Sequence, residues 1–89
     1  MHDNPRPGIA PPGTPAHEHQ RRLVLELAAE PPPEGDCPAE LAAVLGLAPH
    51  ALEAAADALV AAGLAERRAG RLRASPQTLV LDALWPLGR

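Results

Sequence analysis

Residues 37–63 carry the most restrictive pattern in this chain: two proline-led, glycine-ended stretches of helical periodicity, set about three residues apart. Pro38 suits a first helical position, where a backbone donor would have no partner. Leu41, Val44 and Leu45 then supply an apolar face, and Glu40 lies near the positive helix end. Gly46 closes this helix, with Leu47 as an inward-pointing turn residue. Pro49 repeats the opening, and Leu52, Ala55, Ala56, Leu59 and Val60 recur at i, i+3, i+4, i+7 and i+8. Gly63 takes the next stop position. Only Gly46 to Ala48 separates the two helices, so the pair must turn sharply.

The flanks extend the pattern. His17 to Ala29 lack Pro and Gly, and place Leu23, Val24, Leu27 and Ala28 on one face. Glu18–Arg22 and Arg22–Glu26 are i,i+4 pairs on the other side, so a first helix is expected here, ended by Pro31, Pro32, Pro33 and Gly35. After Gly63, residues 64–68 and 71–74 flank Ala69-Gly70 and read as a hairpin. Ser75 as cap and Pro76 as first residue open a fourth helix, with Leu79, Val80, Ala83 and Leu84 as its stripe and Trp85-Pro86 as its end. Met1 to Ala16, with five prolines and two glycines, is expected to be a disordered tail. The domain is expected over 17–87.

Composition agrees with a mainly α fold bearing a small β-hairpin. The chain has 89 residues, enough for one domain, and its apolar share is mostly Ala and Leu. Cys37 stands alone, so no internal disulfide can form. Met1 to Gly13 lack a signal-peptide core, no run approaches the ~18 apolar residues of a membrane span, and the cytoplasm is the expected compartment. Ser75 is the only serine, no phosphate-binding glycine loop is present, and an enzyme is not expected. No cofactor or small-molecule effector is indicated.

The stretches Cys37-Pro-Ala-Glu-Leu-Ala-Ala-Val-Leu-Gly-Leu and Leu59-Val-Ala-Ala-Gly-Leu-Ala-Glu-Arg-Arg-Ala-Gly-Arg-Leu-Arg complete the order helix, helix, turn, helix, hairpin, helix. This resembles bacterial winged helix-turn-helix domains, closest in wording to regulators of the isocitrate lyase regulator type and the multiple-antibiotic-resistance type. The resemblance runs from His17 to about Leu84. It implies a recognition helix over the second of the paired helices, a wing over the hairpin, and transcription regulation through double-stranded DNA.

The chain departs from that pattern where bases would be read. Ala48 stands where a Ser or Thr cap is usual, and His50, Glu53, Ala54, Asp57, Ala58 and Ala61 occupy the outer face of the recognition helix. Alanine offers no groups to base edges, and the two acids repel phosphates. From Glu30 to Gly63 there are six acids and no Lys or Arg, whereas Leu64 to Ser75 carry four arginines against Glu66.

Two readings follow. In the first, Arg67, Arg68, Arg71 and Arg73, helped by His50, contact DNA phosphates through the wing. In the second, the winged helix is a protein-interaction module with an acidic helix and an apolar C-terminal one. The clustered arginines tip the expectation to the first. Leu81, Leu84, Trp85 and Leu87 are more apolar than one core face requires and are expected at a homodimer or partner interface. His17 and His19, with Glu18, Cys37 and His50, lack the paired spacing of a zinc site and are expected to be ordinary solvent-exposed histidines.

Overall fold

The computed structural model describes residues 9–29 and 35–84. Among them the protein is mainly helical, with one small antiparallel sheet. The elements run α1 (Pro15–Ala29), α2 (Pro38–Leu45), α3 (Pro49–Ala61), β1 (Ala65–Arg68), β2 (Arg71–Ala74) and α4 (Pro76–Leu84).

Each of these helices opens on a proline. The sequence reading used this signal three times and overlooked it at Pro15. Helix α1 therefore starts two residues before His17, inside the stretch expected to be tail. Thr14 is its cap: the His17 N–H donates to Thr14 Oγ1 at 3.1 Å, and the Thr14 hydroxyl donates to the Pro11 carbonyl at 2.7 Å. Ahead of it, the Ala10 N–H donates to Gln20 Oε1 at 2.9 Å. Residues 9–14 are thus folded against α1; residues 1–8 lie outside the described part.

The glycine stops are built alike. Gly46 has φ +69° and Gly63 has φ +80°. In each case the following leucine N–H reaches back along the helix, Leu47 to the Ala42 carbonyl and Leu64 to the Leu59 carbonyl, both at 2.9 Å. This six-to-one closure satisfies orphan carbonyls and turns the leucine toward the core. At the break that Gly46 opens, α2 and α3 bend through 111°. No single described helix is long and apolar enough to cross a membrane.

The core is aliphatic. Leu23 and Leu27 of α1, Leu41 and Leu45 of α2, Leu52 and Leu59 of α3 and Leu72 of β2 are buried together with small alanines. Val44, expected on the inner face of α2, is instead 67% exposed. Ala58, expected on the outer face of α3, is buried, because α3 packs against α1, α2 and β1 and its covered stripe is wide. The expected Arg22 pairs on α1 also differ: Arg22 Nη2 donates to the Leu45 carbonyl, placing a cation at the C-terminal end of α2.

The sheet has a third participant. Asp36 bridges Leu72 on the free edge of β2, its N–H donating to the Leu72 carbonyl at 2.6 Å and its carbonyl accepting the Leu72 N–H at 2.9 Å. The chain between α1 and α2 thus pins the hairpin to the helical layer.

Candidate functional site

The hairpin register decides where each arginine points. Ala65 pairs with Ala74, Glu66 with Arg73, Arg67 with Leu72 and Arg68 with Arg71. Directly paired residues share a face, and faces alternate along a strand. Arg67 therefore shares a face with Leu72, Ala65 and Ala74, the buried side, and continues it toward α3. Glu66, Arg68, Arg71 and Arg73 take the outer side.

Arg67 Nη2 donates to Glu53 Oε1 at 2.8 Å and to Asp57 Oδ1 at 2.7 Å. These carboxylates are one helical turn apart on α3, so a single guanidinium spans both. The bond to Asp57 is the main cause holding the Arg67 pKa above its ordinary value; partial burial opposes it, and Glu53 adds to the rise. On the outer side, Arg73 Nε donates to Glu66 Oε1 at 3.0 Å, across the registered pair. Arg71 Nη1 donates to the Gly35 carbonyl at 3.2 Å. Arg68 is exposed, and among the described residues it enters no ion pair.

Of the four arginines expected to form a positive ribbon, two are therefore held by carboxylates of the chain itself. Arg67 and Arg73 are paired with carboxylates, and Arg71 is turned to a backbone carbonyl. Two of the four arginines thus face three acids, Glu53, Asp57 and Glu66. The signal that could have separated Arg67 from the other three is strand alternation, which places it on the core side. His50 is exposed on the first turn of α3, apart from the hairpin in sequence, and is brought into none of these pairs.

Helix α4 offers a different surface. Its start is anchored at one half-buried carbonyl: Leu64 O accepts the Ser75 N–H at 3.0 Å and the Thr78 hydroxyl at 2.8 Å. Having donated its one proton, the Thr78 hydroxyl accepts from Ser75 Oγ at 3.1 Å, while Ser75 Oγ accepts the Thr78 N–H at 3.3 Å. Ser75 and Thr78 are buried; Thr78 was not singled out in the sequence, although Ser-x-x-Thr at a helix start was available as a signal.

Beyond that anchor α4 is poorly covered. Leu79, Val80, Leu81 and Leu84 are 37%, 59%, 47% and 68% exposed, and Ala83 is exposed as well. The stripe Leu79, Val80, Ala83 and Leu84 is thus left largely uncovered by the core. Of the expected interface residues, Leu81 and Leu84 are on this exposed surface; Trp85 and Leu87 lie outside the described residues.

His17 and His19 are half-buried rather than solvent-exposed, and each lines a hollow beside α1. No three His, Cys, Asp or Glu converge among the described residues. No protein family, curated protein or solved structure matches the chain.

Proposed function

We propose that this chain is a winged helix-turn-helix module whose task is protein docking, with the apolar surface of α4 as the contact and a second copy of the chain as its partner. The observation that carries the reading is the exposure of Leu79, Val80, Leu81 and Leu84 together on one short helix. Contiguous apolar surface of this kind on a small domain marks an interaction site. The arginine pairing supports it from the other side. A recognition helix whose carboxylates are bridged by its own wing offers no cation to phosphates.

The test is light scattering of the full chain over a range of concentrations. A dimer is expected, and the Leu81→Glu, Leu84→Glu double variant is expected to be monomeric with its circular dichroism unchanged. A wild-type monomer throughout would overturn the reading.

One observation favours a second reading. Arg68 and Arg71 stand opposite each other beside the hairpin turn, on the outer face and with no carboxylate partner among the described residues. Like charges in direct register repel, and a phosphate between them would relieve that. DNA contact would then depend on these two residues. Fluorescence anisotropy with random duplex DNA at low salt distinguishes the readings. Docking through α4 predicts no saturable binding. Saturable binding lost in the Arg68→Gln, Arg71→Gln variant would favour the wing.

A further inference from the structure

A second feature is independent of α4 docking. Between α1, the end of α3 and the segment leading into α1 lies an open cavity of about 240 Å³. Ile9, Val24, Leu59 and Leu64 give it an apolar lining, and His17 and Arg21 supply its titratable side chains. Gln20 also lines it, but its Oε1 is held by the Ala10 N–H. That bond fixes the segment carrying Ile9, which is still 49% exposed. The cavity is thus formed in advance, apolar within, and open.

Arg21 gives the cavity a preferred charge. Its ion pair with Glu18 is long, 3.8 Å, between side chains more than half exposed. A pair of that length and exposure contributes little and yields readily to a better placed acceptor. We infer that the cavity binds a small amphipathic carboxylate, its apolar body against Ile9, Val24, Leu59 and Leu64 and its carboxylate on Arg21. The volume is below the usual range for drug-sized pockets, so a small ligand suits it. Nothing in the sequence pattern points to this site, because its lining is drawn from four separate stretches.

Leu64 makes occupancy readable at a distance. Its side chain lines the cavity, while its carbonyl holds Ser75 and Thr78. The experiment is an amide-shift titration of the ¹⁵N-labelled full chain with sodium heptanoate and, separately, heptan-1-ol. Heptanoate is expected to give saturable shifts at Ile9, Val24, Leu64 and Thr78, with a Kd on the order of 1 mM for so small a ligand. Arg21→Gln, at an exposed position, is expected to weaken heptanoate about fivefold and leave heptan-1-ol unchanged, since only the acid makes the charge-assisted bond. Val24→Trp is expected to block both. Absence of saturable shifts, equal binding of alcohol and acid, or an unchanged heptanoate affinity in Arg21→Gln would each overturn the inference.

Discussion

At Gly35 the backbone runs against the sheet. Its φ is +90°, and a Cβ built there would stand 2.9 Å from the Leu72 carbonyl oxygen and 3.2 Å from the Arg71 Cβ. Neither neighbour is a loose side-chain end, so the Asp36 bridge to Leu72 requires glycine at this residue. Gly35→Ala should lower stability by about 1–3 kcal/mol, measured by urea unfolding, through left-handed backbone strain and the steric clash together. Ala69 is the opposite case. It has φ +53° beside Gly70 at +78°, the pair of positive angles that a two-residue hairpin turn demands. Alanine is strained there, and Ala69→Gly should stabilise by about 0.5–1 kcal/mol in the same assay. In the sequence, Gly35 was read as a helix stop and Ala69-Gly70 as a turn. The turn is where it is expected, whereas Gly35 lies six residues beyond the last described residue of α1, against β2, and Pro31 to Pro33 lie outside the described residues; which residue bears the strain depends on backbone angles that composition does not encode.

Single elements were legible wherever proline, glycine and leucine punctuate them. Pro38, Pro49 and Pro76 begin helices, and Gly46-Leu47 and Gly63-Leu64 end them, because each residue type answers a local demand for a missing donor or a positive φ. The bridge at Asp36 was not legible. It is made by backbone groups, which every residue carries. Helix α4 was legible as a helix but not in its placement, since Leu, Val and Ala take most of its positions after Thr78 and leave no clear polar side to show which face is covered. Its attachment rests on Thr78, whose hydroxyl donates to the Leu64 carbonyl and accepts from Ser75. Thr78→Val keeps the shape and removes both bonds, leaving the Ser75 hydroxyl without its acceptor. A loss of about 1–3 kcal/mol is expected, with faster amide exchange over residues 79–84 than elsewhere in the domain.

For the whole molecule, charge is where sequence reading and structure part. A count along the chain finds arginines concentrated in residues 67–73 and acids before them. The fold brings the two groups together: Arg67 meets Glu53 and Asp57, fourteen and ten residues away in sequence, and Arg73 meets Glu66 across the ribbon. Exposed pairs of this kind are worth only about 0–1 kcal/mol each to stability, so their main consequence is for the surface the protein presents. They quiet the hairpin–α3 face and leave α4 as the most distinctive exposed feature, from which docking to a second copy is proposed. The most direct test follows the amide resonances of the ¹⁵N-labelled protein on dilution. Shifts that vary with protein concentration and are confined to α4 and its anchor are predicted, while residues 66–73 stay constant. Concentration-independent α4 signals, with hairpin resonances that move on adding random duplex DNA and recover as salt is raised, would contradict the account.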